Sequence, residues 1–235
     1  MNDRALRAGI LAAGRGERLR RQASDLKPLA RVGDQTLIEH VLNSMAAAGA
    51  AEVVVIINED SRSVRDHVAR RDWPFALRWI VETTPTSMHS FLRLVETLGA
   101  DGSEGPFLLS TVDTVTSPRA YADFMKRASE LNTAITLALT SPGDDEKPLL
   151  VRMGNNARIE KFGEGEFATA GIYAVRPIIL REAEAARQDG LEALRNFLQR
   201  LLERGYEIAG IPISESIDVD RPADLAAAEI FLRQI

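Results

Sequence analysis

Apolar runs of strand length alternate with segments of helical period through the first half of this chain. Arg7–Ala12 reads as a strand. Thr36–Ala48 sets Leu37, Ile38, Val41, Leu42 and Met45 on one helical face, and Gly49 ends the helix. Val53–Ile57 is a continuous β-branched run, as expected of a strand covered on both faces. Ser61–Arg70 reads as a helix with Ser61 as its candidate cap, and Leu77–Val81 as a strand. Ser87–Leu98 is an amphipathic helix with Phe91, Leu92, Val95 and Leu98 inward, and Phe107–Ser110 is another short buried strand. This order predicts an α/β fold with three αβα layers and a mostly parallel, Rossmann-like sheet. Ligands of such sheets bind outside the carboxyl ends of the strands.

The second half is less regular. A helix runs from Ser117-Pro118 to about Leu131, with proline in its first turn. Ala134–Thr140 is a strand and Ser141–Lys147 a polar, acidic loop. Leu149–Arg152 and Arg158–Phe162 form a hairpin around Gly154-Asn155-Asn156. Phe167–Val175 is a strand that contains Gly171. Pro177–Arg187 and Leu191–Arg204 are helices, Tyr206–Ile213 a strand, and Pro222–Leu232 a closing helix. No repeat or linker interrupts the pattern. One domain over 1–235 is expected, with a nucleotide-binding half of about 1–116 and a small acceptor-binding lobe of about 117–235.

The first strand breaks into Leu11-Ala12-Ala13-Gly14-Arg15-Gly16-Glu17-Arg18-Leu19, and Lys27-Pro28-Leu29 follows. Glycine lets backbone approach an anion closely, and amides at a helix start favour negative charge. Arg15, Arg18 and Lys27 add positive charge, and arginine forks onto two phosphate oxygens. A Walker A loop would need Gly-Lys-Ser/Thr, and a dinucleotide loop a glycine where Leu19 stands, so neither fits. The alternative is a plain strand-to-helix turn with surface arginines. Arg20 and Arg21 fit that alternative.

The run resembles the L-A-A-G-x-G-x-R-L/M … K-P-L signature of the nucleotidyltransferases with a GT-A-like fold. The resemblance implies that Leu11, Ala12, Ala13, Gly14, Arg15 and Gly16 wrap a nucleoside triphosphate. It implies that Arg18 contacts the reacting phosphates and that Lys27 neutralises charge during transfer. Nucleotidyl transfer to a phosphate joins two anions, so a divalent cation, Mg2+, is expected, and it needs few carboxylates from the protein. Asp113 follows the strand Phe107–Ser110 and resembles the family's metal-binding aspartate; otherwise it caps the turn before Ser117. Ile217-Asp218-Val219-Asp220-Arg221-Pro222-Ala223-Asp224-Leu225 resembles D-x-D-T-P-E-D-L, with Arg221 for Thr and Ala223 for Glu. Both Asp218 and Asp220 are candidates there, and the spacing to Pro222 favours Asp220. Asp224 reads as a charge at a helix start.

Glu82–Ser90 stands where the family reads the base. Ser87 and Ser90 serve either as nucleotide-binding hydroxyls or as helix caps, and His89 as a helix-surface residue. Ile159-Glu160-Lys161-Phe162 resembles the family's E-K-P segment, which implies acceptor binding by Glu160 and Lys161; the alternative is an exposed cross-strand charge pair. Gly171 either leaves room for the acceptor or marks a bulge.

Composition narrows the classes. Basic residues number 29 against 34 acidic, a net charge of −5, so no global positive field recruits nucleic acid. With no cysteine, disulfides and thiolate metal sites are excluded. No apolar run reaches membrane-span length, and the first strand begins too early for a secretory signal, so a cytoplasmic protein is expected. The expected reaction is magnesium-dependent transfer from a nucleoside triphosphate to a sugar 1-phosphate or similar phosphorylated small molecule. A molybdopterin cytidylyl- or guanylyltransferase and a non-catalytic nucleotide-binding regulator are the alternatives. Oligomeric state is open.

Overall fold

The computed structural model describes residues 5–14, 26–143 and 148–234. The glycine-loop residues Arg15, Gly16 and Arg18, with Arg20 and Arg21, lie outside the described residues, as does most of the acidic loop before Lys147.

The first half builds the parallel part of the sheet. β1 (Leu6–Ala12) is followed by a small hairpin, β2 (Arg31–Val32) and β3 (Gln35–Thr36), and by helix α1 (Leu37–Ala47). Then come β4 (Ala50–Ile57), α2 (Arg62–Val68), β5 (Ala76–Val81), α3 (Ser87–Leu98) and β6 (Phe107–Thr111). β1 lies between β4 and β6, parallel to both, and β5 extends the sheet beyond β4. Gly9 lets α3 sit close on β1, because a Cβ there would come 2.7 Å from Leu109 Cδ2 and 3.3 Å from Leu94 Cδ1.

The second half contributes β7 (Thr114–Val115), α4 (Pro118–Ser129), β8 (Ile135–Thr140), β9 (Leu150–Met153), β10 (Ile159–Phe162) and β11 (Phe167–Val175). After a 3-10 turn at Pro177–Glu182 come α5 (Ala183–Gln188), α6 (Leu194–Glu203), β12 (Ile208–Pro212), β13 (Ile217–Asp218) and α7 (Pro222–Leu232). β11 joins the halves, running antiparallel to β6 on one side and to β8 on the other. β12 lies parallel to β8. Helices α1, α2 and α4 cover one face through residues such as Val41, Val64 and Phe124; α3 and α6 cover the other through Phe91, Val95 and Phe197. The expected αβα layering is present, and no described helix is long and apolar enough to cross a membrane.

Local chemistry sets the ends of the elements. At the start of α1 the Thr36 backbone N–H and hydroxyl both donate to Glu39 Oε2 at 2.8 Å. α4 starts where Ser117 Oγ accepts from the Ala120 N–H at 3.2 Å, with Pro118 placed where no N–H is needed. Ser61 is not a side-chain cap: its hydroxyl donates to Asn58 Oδ1 at 2.7 Å. The helix expected over Pro177–Arg187 is split, because the Ile179 N–H bonds Arg176 three residues back rather than four. α6 begins three residues later than its apolar pattern suggests, since the Leu191 N–H is taken by the Ala186 carbonyl at 3.0 Å.

Candidate active site

The carboxyl ends of β1 and β6 are stitched together by the Val112 N–H, which donates to the Leu11 carbonyl at 3.1 Å. The chain turns there through Asp113 into β7, which pairs antiparallel with β13. The Val219 N–H donates to the Asp113 carbonyl at 3.0 Å, so the two acidic segments are fixed side by side. Asp224, at the start of α7, accepts from the Asp220 and Arg221 N–H groups at 3.0 and 2.7 Å and locks that turn. One carboxylate oxygen from each of Asp113, Asp218 and Asp220 lies within 4.8 Å of the others.

Lys27 enters this cluster from the 3-10 turn Lys27–Leu29. Its buried Nζ donates to Asp113 Oδ2 at 2.7 Å and to Asp220 Oδ1 at 2.5 Å. Burial alone would lower the lysine pKa, but the charges and hydrogen bonds of both aspartates outweigh it and hold it above the ordinary value. For Asp113, burial pushes upward, and the Lys27 charge and hydrogen bond overcome it, so the carboxyl is held below the usual range. Asp113 Oδ1 is buried and has no hydrogen-bond partner among the described residues. An orphaned carboxylate oxygen beside two further aspartates is a donor set that suits a hard divalent cation.

Two cavities open on the cluster. The first, about 750 Å³, includes Leu11, Ala13, Gly14, Lys27, Ser87 and Ser90 in its lining. The second, about 490 Å³, includes Thr140, Thr169, Gly171, Tyr173 and Asp218. Thr111, Asp113 and Asp220 line both, so the carboxylates stand where the two spaces meet. Gly171 is required at this junction: its φ is +70°, and a Cβ would overlap the Thr111 and Thr114 hydroxyls. The same position interrupts the β11–β8 register, so the bulge and the open space are one feature.

The remaining candidate residues separate clearly. Ala12 turns away from the first cavity into the core, because successive strand side chains alternate and Leu11 and Ala13 take the open face. Ser87 and Ser90 do line that cavity, but neither caps α3, whose N-cap is Thr86. Ser87 Oγ accepts from the Leu194 N–H at 3.1 Å, and Ser90 Oγ shares a 2.5 Å hydrogen bond with Thr84 Oγ1. Glu160 and Lys161 line neither cavity. They sit exposed on the β9–β10 hairpin, where Lys161 pairs with Glu164 at 3.0 Å and Glu160 with Arg152 at 3.9 Å. Asn58, Tyr173, Leu194 and Arg195 were not singled out from sequence. Asn58 ends β4, donates to the Ala13 carbonyl at 3.1 Å and supports the loop after β1; its place after a buried strand was the available signal. Tyr173 is buried, and burial, reinforced by Asp113 and Asp218 and opposed by Arg195, raises its pKa.

Two cavities thus meet at a carboxylate cluster beyond the strand ends of a mostly parallel sheet. The chain belongs to the MobA-like NTP transferase domain family, whose sequence profile matches residues 8–201. It is 27% identical over 191 residues to the mannose-1-phosphate guanyltransferase of Emericella nidulans, covering 76% of this chain and 52% of that protein. It is 28% identical over 239 residues to the bifunctional IPC transferase and DIPP synthase of Rubrobacter xylanophilus, covering 94% of this chain and 51% of that protein. The chain thus spans about half the length of these curated relatives. Among solved structures, the inositol-1-phosphate CTP transferase from T. maritima superposes with a TM-score of 0.79 at 21% identity, covering 97% of this chain and 96% of that one. A putative glucose-1-phosphate thymidylyltransferase from Bacillus anthracis gives 0.83 at 17% identity, covering 98% and 96%. Both likenesses establish the shared fold.

Proposed function

We propose that this chain transfers a nucleotidyl group from a nucleoside triphosphate to the phosphate of a sugar or polyol 1-phosphate, with Mg2+ and with release of pyrophosphate. The observation that carries this reading is the pair Asp113 and Asp220 at the shared edge of two cavities, bridged by Lys27. A transferase that joins two phosphorylated substrates needs such a meeting point. Names of relatives and structural neighbours that act on hexose and inositol phosphates support the acceptor class. Hydroxyl-bearing Thr140, Ser141, Thr169 and Ser216 in the second cavity suit a polyol.

In this reading the nucleotide occupies the first cavity, with its base toward Ser87 and Ser90 and its phosphates toward Gly14 and Lys27. Arg15, Gly16 and Arg18 would complete the phosphate cradle. Asp113 and Asp220, with Asp218 beside them, would hold the cation, which screens the two anions and polarises the α-phosphate. The acceptor lies in the second cavity, its phosphate facing the junction past Gly171. An acceptor phosphate oxygen forms the new bond to the α-phosphorus in line, and the bond to the departing pyrophosphate breaks. The acceptor is already ionised, so no side chain need take its proton. Lys27 supplies positive charge to the phosphates, and catalysis comes from positioning and charge neutralisation.

Pyrophosphate release, crossing the common nucleoside triphosphates with sugar 1-phosphates, inositol 1-phosphate and phosphocholine, tests this. Release confined to one or a few pairs, and abolished by Asp113→Asn, is the expected result. Triphosphate binding without release for any acceptor, molybdopterin included, would contradict it and favour a regulatory role; release with molybdopterin alone would move the acceptor to that class.

A further inference from the structure

β1 and β4 run in register up to the pair Ala12 and Ile57, and there the two chains part. β1 enters the loop that begins Ala13-Gly14, while β4 turns through Asn58 into the 3-10 turn Glu59–Ser61. Beyond the last backbone pair the Asn58 side chain supplies one more rung: its Nδ2 donates to the Ala13 carbonyl at 3.1 Å. The other end of the same amide is also held. Asn58 Oδ1 accepts from the Ser61 hydroxyl at 2.7 Å, and the Ser61 N–H donates to the Asn58 carbonyl at 3.1 Å. Both residues are buried. A backbone carbonyl can only accept, so the amide nitrogen must face Ala13 and the oxygen is left for Ser61.

The next strand is tied to the same turn. The Glu82 N–H donates to the Ile57 carbonyl at 2.9 Å, and the Glu59 N–H donates to Thr83 Oγ1 at 3.3 Å. The ends of β1, β4 and β5 are thus laced together through residues 57–61. Ala13, Gly14, Asn58, Thr83 and Thr84 all line the first cavity, and none of them lines the second. A glycine loop works by aiming backbone amides at an anion, so the direction in which it leaves its strand decides what it can hold. That direction is set at Ala13.

We propose that Asn58 is a positioning residue for the nucleoside triphosphate: by holding the Ala13 carbonyl it fixes the line on which the chain leaves β1 to meet the phosphates. Ser61 in turn fixes the Asn58 amide. Asn58 acts through Ala13 and its effect falls on the nucleotide side alone. This rests on the transfer reaction proposed above.

The test is steady-state kinetics on the full chain with an active substrate pair. Asn58→Ala removes the donor and leaves the Ala13 carbonyl without it. The triphosphate KM should rise about 5- to 50-fold, and the acceptor KM should stay within about twofold of wild type. Asn58→Asp sets a carboxylate oxygen against that carbonyl and should lose more. Ser61→Ala leaves the amide free to turn and should give a smaller loss of the same kind. The double variant Asn58→Ala/Ser61→Ala should be no worse than Asn58→Ala, because Ser61 acts through the amide. An unchanged triphosphate KM in Asn58→Ala, or equal rises for both substrates, would overturn the assignment. Should Asn58→Ala fail to fold, Ser61→Ala carries the test, and an unchanged triphosphate KM there overturns it. If the wild type turns over no pair, the proposed reaction falls. Calorimetric titration with ATP, CTP, GTP, UTP and dTTP then decides on Asn58 separately. Binding weakened at least about fivefold in Asn58→Ala sustains its role; equal affinity, or no binding by the wild type, overturns it.

Discussion

Lys27, Asp113 and Asp220 depend on one another. The lysine bridges both aspartates and holds the buried Asp113 carboxyl ionised, and the two aspartates keep the buried ammonium charged. Lys27→Met retains much of the stem but strips the charge, leaving two carboxylates facing each other. Transfer should fall at least about 100-fold, and urea denaturation in metal-free buffer should show a loss of about 2–3 kcal/mol. An unchanged unfolding midpoint would show that the bridge holds nothing together. Gly171 is the second sensitive position. Gly171→Ala forces a Cβ onto the Thr111 and Thr114 hydroxyls at φ +70°, which should cost about 1–3 kcal/mol. A thermal melt matching wild type would contradict that geometry. At this scale the sequence was legible where chemistry is local. Lys27, Asp113 and Asp220 could be picked out one at a time, but Lys27 and Asp220 stand 193 positions apart and their direct contact has no local signal. Glu160 and Lys161 show the converse: a motif drew attention to them, while neighbouring Arg152 and Glu164 engage them at the surface.

Among the elements, those with a strong apolar period and a local cap were readable. α3 spans Ser87–Leu98, as its inward Phe91, Leu92, Val95 and Leu98 suggest. α1 follows from its apolar face and the Thr36–Glu39 pair, which also gives a pH signature. Burial pushes the Glu39 carboxyl upward, but hydrogen bonds from the Thr36 backbone and hydroxyl, with His67, outweigh it and hold the carboxyl below its ordinary 4.5. The stabilisation is therefore complete above about pH 4.5 and is lost as pH falls through the lowered value. Glu39→Gln should cost about 1 kcal/mol at pH 7, and the gap from wild type should close in acid; a gap that is constant from pH 7 to pH 3 would exclude the cap as its source. α6 was less legible. Its apolar pattern begins at Leu191, but the Ala186 carbonyl takes the Leu191 N–H, and the Leu194 N–H goes to Ser87, 107 positions away. Tertiary hydrogen bonds, not propensity, choose that start, and the choice places Leu194 and Arg195 on opposite cavities.

Across the whole molecule, alternation of strand and helix patterns was enough to foresee three layers and a mostly parallel sheet, because each β-branched run needs cover on both faces. The function-bearing geometry is a property of the assembled sheet. β11 couples the halves by pairing with β6 and β8, and the β7–β13 ladder brings Asp218 and Asp220 to Asp113. No single segment contains the junction of the two cavities, so no motif could announce it. The most direct measurement follows the α-phosphorus itself. With α-labelled nucleoside triphosphate, magnesium and the active acceptor, label should move into a nucleotide-linked product with one pyrophosphate released for each transfer. It should stop on chelation and in an Asp113→Asn protein that melts like the wild type. Label retained in the triphosphate by the wild type with every acceptor, or transfer undiminished in Asp113→Asn, would contradict the account.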